Sequence, residues 1–138
     1  MDAARNRLWA LTRNGVELYD ARTREKLAQV ALPAWLWVRE QYACPPDLVV
    51  GRRGEVLVSS NIVPAIWRID PVTLAASKHD LVLDDAGRDI GFSRLTYSAK
   101  QGAYFAFSSL QGSLWRIDPL LGSARNIPLS EPVRQCTS

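Results

Sequence analysis

The sequence predicts an all-β chain built from repeated antiparallel sheets, and three observations carry that prediction. Residues 66–71 read Ile-Trp-Arg-Ile-Asp-Pro, and residues 114–119, 48 positions later, read Leu-Trp-Arg-Ile-Asp-Pro. A weaker copy, Val16-Glu17-Leu18-Tyr19-Asp20-Ala21, lies 50 positions before the first. Around each copy, apolar runs alternate with turn residues, as strands joined by hairpins do. A strand-built repeat of about 40–50 residues is the signature of a β-propeller blade, a unit that needs neighbours to cover its two faces.

The elements follow in chain order, with strands A to D running from the innermost to the outermost of each blade. The first copy, about residues 1–33, has Leu8–Thr12 as strand B and Val16–Tyr19 as strand C. Arg13-Asn14-Gly15 is the hairpin between them, on the favoured Asn-Gly pair. Lys26–Leu32 is strand D. Residues 2–7 align with the turn between strands A and B of the third copy. The chain is therefore expected to open inside a blade whose innermost strand is missing.

The second copy, about residues 45–83, reads Asp47–Val50, Glu55–Ser60, Ala65–Ile69 and Lys78–Leu83 as its four strands, with Arg52-Arg53-Gly54 turning the chain. The third, about residues 91–131, reads Phe92–Tyr97, Ala103–Phe107, Leu114–Ile117 and Ser123–Leu129. Ala103–Phe107 is apolar throughout, which suits a strand covered on both faces. Asp70-Pro71 and Asp118-Pro119 each stop a strand, because proline cannot donate to the ladder. An aspartate there accepts backbone N–H groups two residues on. The repeated Asp is thus read as a turn device and not as a catalyst.

Three blades of ordinary width do not close a ring that normally holds about four to eight. The open wedge leaves two blade faces and a sheet edge without partners. A two-fold pair of chains would complete a six-bladed ring. The tail 132–138 stands where a next strand A would begin and is a candidate for the strand that the first blade lacks. The partner expected is therefore a second copy of the chain, or another protein; the alternative is that the three blades are part of a longer natural chain.

Composition bounds the rest. With 138 residues, 47% of them hydrophobic and 22% charged, the chain can bury a core. No apolar run is long enough to span a bilayer, and residues 1–5 lack the apolar stretch of a signal peptide. A soluble chain is expected, exported only if a leader precedes Met1. Fourteen arginines stand against three lysines. That surplus suits phosphate recognition, but genomic base composition is the favoured reading. Apart from Arg22/Arg24 and Arg52/Arg53 the basic residues are scattered, so neither nucleic acid nor a membrane is expected as partner. The two cysteines, Cys44 and Cys136, have no zinc-site spacing; a disulfide and a pair of free thiols both remain open.

The run from Asp2 to Leu11, with the strand endings at 16–23, 66–73 and 114–121, resembles the NHL, YVTN and gluconolactonase-like propeller superfamily. Its blades open on an acidic turn before Arg-Leu-Trp/Tyr-Val and close a strand with Ile-Asp-Pro-x-Thr. The third copy departs, with Leu121 in place of Thr. The resemblance implies the propeller fold over nearly the whole chain. It carries no activity by itself, because such repeats host scaffolds, lactonases, lyases and electron-transfer subunits alike. The gluconolactonase-like members hold a metal on the central axis, and their ligands find no match here.

Candidate chemistry is sparse. His79, the only histidine, falls on an outermost strand, and no Ser-His-Asp set or phosphate loop can be assembled. No cofactor is predicted. Asp84, Asp85 and Asp89 form the one acidic loop that offers calcium several oxygen ligands, but Arg88 opposes a cation and a solvated loop is the favoured reading. The loop 34–46 carries Trp35, Trp37, Arg39, Glu40 and Tyr42, and shares a blade end with Asn61 and Gln111. Converging loops at a channel mouth are where such folds bind, and Trp, Tyr and Arg anchor interfaces. Packing between blades is the competing role for Trp35 and Trp37, and the expected one for Trp67 and Trp115. The function expected is a non-catalytic binding or assembly module. The alternatives are a metal-dependent lactonase or lyase, or an accessory subunit of a larger complex.

Overall fold

A computed structural model describes residues 1–37, 44–84, 91–108 and 112–131. The chain is all-β. The first sheet is β1 (Arg7–Thr12), β2 (Gly15–Asp20) and β3 (Lys26–Val30), paired in that order. The middle sheet is β4 (Leu48–Val50), β5 (Val56–Ser59), β6 (Ala65–Ile69) and β7 (Ala76–Asp80). The third contains β8 (Val82–Leu83), β9 (Phe92–Ser98), β10 (Ala103–Ser108), β11 (Leu114–Ile117) and β12 (Ser123–Ile127), in the order β8-β12-β11-β10-β9. Among the described residues all pairings are antiparallel except β8 with β12, and no sheet closes on itself.

Local chemistry sets the strand ends. Asp20 accepts the backbone N–H groups of Arg22 and Thr23 at 2.8 and 2.9 Å, and Asp70 those of Val72 and Thr73 at the same distances. The hydroxyls of Thr23 and Thr73 then take the N–H groups of Glu25 and Ala75, both at 3.3 Å. The third copy keeps the aspartate bond, Leu120 N to Asp118 at 2.7 Å. Leu121 stands where threonine would, and its own N–H closes the turn on the Asp118 carbonyl at 2.8 Å. Residues 2–7 are a capped 3-10 turn, Ala3–Arg5, with Asp2 as its N-cap.

Three strand readings need correction. The fourth strand of the second copy is Ala76–Asp80 and not Lys78–Leu83. The chain breaks at Leu81, and Val82–Leu83 crosses to the third sheet, where Val82 donates to the Gly122 carbonyl at 3.0 Å. The third sheet therefore has five strands and not four. In the first hairpin Thr12 pairs with Gly15, so Arg13 and Asn14 form the turn and Gly15 opens β2.

The sheets stack face to face through two cores. Trp9, Val16, Leu18 and Val30 of the first sheet meet Val56, Val58, Ala65, Trp67 and Ile69 of the middle one. Leu57 and Ile66, on the other face of the middle sheet, meet Leu95, Ala106, Trp115, Ile117 and Ala124 of the third. Period-two alternation explains this division, since neighbours along a strand point to opposite faces. Trp67 and Trp115 fill equivalent places in the two cores, each 1% exposed, as the repeat predicts.

The middle sheet is buried on both faces. The third is not: Ala106 is buried, while Phe105 and Phe107 on its far face are only half-buried. The apolar run at 103–107, read as covered on both sides, is packed on one.

Candidate functional site

Antiparallel hairpins place successive connections at opposite ends of the stack. One end carries the β1–β2 and β5–β6 turns and the links from sheet to sheet. It is the end to which the sequence assigned a site. Trp35 meets Trp67 edge to face, ring centroids 5.0 Å apart, and packs on the core between the first two sheets. Its indole nitrogen is buried and has no hydrogen-bond partner among the described residues. Trp67 itself donates to the Pro33 carbonyl at 2.7 Å. Trp37 is half-buried. Asn61 is buried, and its amide donates to the Cys44 carbonyl at 2.9 Å. Trp35 and Asn61 thus both hold this end of the stack together. Arg39, Glu40, Tyr42 and Gln111 lie outside the described residues, as do Asp85 and Asp89. Asp84 accepts the Asn126 N–H at 2.8 Å and so helps to fasten β8 to β12. His79 lies on β7, the outermost strand of its sheet, with a ring nitrogen 2.9 Å from the Ser77 hydroxyl. Cys44 is disulfide-bonded, and the sequence holds one other cysteine, Cys136.

The opposite end holds what sequence reasoning missed. A cleft of about 850 Å³ opens there between the middle and third sheets. Its floor is apolar, from Leu57, Ile117 and Leu121. Around it stand the side chains of Arg5, Arg52, Arg53 and Arg68, with Glu55, Tyr97 and Tyr104. Arg5 arrives from the first sheet's 3-10 turn, where Asp2 holds it at 3.3 Å. It lies across the turn of the middle sheet at Gly54, whose φ of +85° suits glycine; a β-carbon there would sit 2.6 Å from the Arg5 Cζ. The Tyr104 hydroxyl donates to Glu55 at 2.6 Å, and the other Glu55 oxygen accepts the Arg53 backbone N–H at 3.0 Å. Burial first, and the bond to Glu55 second, push the Tyr104 phenol far above its usual range, so it stays protonated. Tyr97 and Tyr104 face one another across β9 and β10 with ring centroids 4.9 Å apart.

No family model, curated protein or solved structure matches this chain.

Chemically, the cleft offers cationic donors over an apolar floor, with its carboxylate already occupied. That arrangement can hold an anion. Among the described residues that line it, Tyr104 is a protonated donor and there is no histidine. Among the described residues, no group of three or more His, Cys, Asp and Glu side chains comes close enough to share a metal ion. The sequence signal available was the Arg52-Arg53 pair beside two glycines. What it lacked was the approach of Arg5 and of Tyr104, the latter 49 positions from Glu55.

Proposed function

We propose that the chain is a non-catalytic binding and assembly module of propeller type, completed by a second copy of itself. What supports the reading is the pair of outer faces left by the stack. On the third sheet, alternation turns Phe105, Phe107 and Leu114 away from the core, half-buried, among exposed Arg94, Arg116 and Arg125. The Arg116 guanidinium lies 5.9 Å from the Phe105 ring centroid. A run apolar enough for cover on both sides but packed on one is the observation that carries the proposal.

The first sheet's outer face complements it. Leu8 and Leu27 are 44% and 53% exposed. Between them Glu17 accepts the Tyr19 hydroxyl at 2.6 Å and Lys26 at 3.2 Å. The Tyr19 bond, then Lys26, hold the Glu17 carboxyl below its usual range, so it is ionised at neutral pH. An apolar face edged with guanidinium groups meets a mixed face on which Leu8 and Leu27 flank the Glu17, Tyr19 and Lys26 network. A two-fold axis makes that contact twice and closes six sheets into a ring.

Light scattering on the purified protein tests this. The expected mass is twice the 15.4 kDa of one chain, falling to one chain in Phe107→Glu or Leu27→Glu. A wild-type protein that stays a monomer of one chain's mass up to millimolar concentration sinks the proposal.

A further inference from the structure

Among the described residues, four guanidinium-bearing side chains and one carboxylate line the cleft between the middle and third sheets, and that carboxylate is spoken for. Glu55 accepts from Tyr104 and from the backbone of Arg53. Arg5 has Asp2 at 3.3 Å, and Arg68 has Asp70 at 3.9 Å on the exposed rim. Among the described residues Arg52 and Arg53 have no ion-pair partner. Like charges brought together from separate segments repel, and an anion between them relieves that repulsion.

Three features make this a built site. Gly54 lets the Arg5 guanidinium rest on the turn backbone. Gly51 leaves room for the Tyr104 hydroxyl against Glu55, which holds the tyrosine pair in place. The apolar floor lowers the local dielectric, which strengthens attraction at the mouth. Every cation here is arginine, whose planar fork matches phosphate and carboxylate oxygens in pairs. The cleft's volume is that of a small-molecule site.

We propose that this cleft binds a small polyanion carrying phosphate or carboxylate groups, held by Arg5, Arg52, Arg53 and Arg68 beside the Tyr97–Tyr104 pair. The site is independent of the outer faces, so it stands whether the chain is a monomer or a dimer.

Thermal shift and calorimetric titration with pyrophosphate and with citrate, each against sodium chloride of equal ionic strength, test the proposal. Saturable stabilisation by at least one of them is expected. The tighter binder assigns phosphate or carboxylate chemistry. Arg52→Ala/Arg53→Ala, two exposed turn positions, is expected to weaken binding by about tenfold or more. Its thermal transition without anion reports that it has folded. Arg22→Ala/Arg24→Ala removes the same charge from another turn and is expected to bind as wild type does. Three results overturn the site: shifts no larger than those of sodium chloride, undiminished binding in the Arg52/Arg53 variant, or equal losses in both double variants.

Discussion

Trp67→Ala removes the side chain that joins the first two sheets. Trp67 is 1% exposed, sits edge to face with Trp35 at 5.0 Å, and bonds the Pro33 carbonyl at 2.7 Å. Truncating a buried tryptophan costs about 3–5 kcal/mol through lost burial and the cavity left behind. The aromatic pair contributes about 0.5–1.5 kcal/mol beyond area, and the Pro33 carbonyl is left to find water. A loss of about 4–6 kcal/mol is therefore expected, against a total of about 5–15 kcal/mol for an ordinary domain. Trp67→Phe keeps most of the volume and should lose about 1–2 kcal/mol, chiefly the hydrogen bond. Urea unfolding followed by far-ultraviolet circular dichroism measures both without relying on the fluorescence of the other tryptophans. Trp115→Ala serves as the internal comparison, because Trp115 holds the equivalent place in the second core, 6.4 Å from Phe92. If Trp67→Ala costs less than about 1 kcal/mol, the indole does not bind the sheets together and the stacking argument fails with it.

The turn aspartates make stability depend on acid. Backbone N–H groups, those of Thr23 and Thr73 first, hold the Asp20 and Asp70 carboxyls below their ordinary value of 3.8. A lowered folded value means the contribution is present above the unfolded value and is lost as pH falls through the folded one. Thermal midpoints should therefore fall less steeply below about pH 4 in Asp20→Asn/Asp70→Asn than in wild type; parallel acid limbs would show that the turns contribute nothing. In Gly51→Ala the new methyl overlaps the Tyr104 hydroxyl and the Glu55 carboxylate. It should cost about 1–3 kcal/mol, and Tyr104→Phe should recover part of that in a double-mutant cycle. Reduction of the Cys44 disulfide should destabilise the chain by about 2–4 kcal/mol, and thiol titration of the denatured, unreduced protein should find no free cysteine.

Much of the fold was legible because its signals are local. β6 and β11 run as the repeat drew them, since an Asp-Pro pair stops each strand by rules that act within a few residues. The burial of Trp67 and Trp115 followed from their equivalent positions. The break at Leu81 was not legible. Lys78–Leu83 carries no glycine or proline, and what ends β7 is the reach of Val82 and Asp84 for carbonyls near β12, at 3.0 and 3.3 Å. The cleft was hidden for the same reason. Arg52-Arg53 was visible as a basic pair, but a pair on a turn is ordinarily solvated. Only the register of β9 on β10, and the approach of Arg5 to Gly54, bring the other members to it. At the opposite end Trp35 packs on the Trp67 ring, the packing role that the sequence offered for it beside binding.

The short parallel strand β8 has a mechanical corollary. Because the segment after β7 is laced to the far edge of the next sheet, the middle and third sheets cannot be drawn apart without tearing backbone bonds. Among the described residues, no strand ties the first sheet to the middle one in that way; side-chain bonds such as Arg7 to the Pro71 carbonyl, 2.7 Å, do so. Under load the molecule should therefore yield in two steps, the leading sheet peeling off before the laced pair gives way.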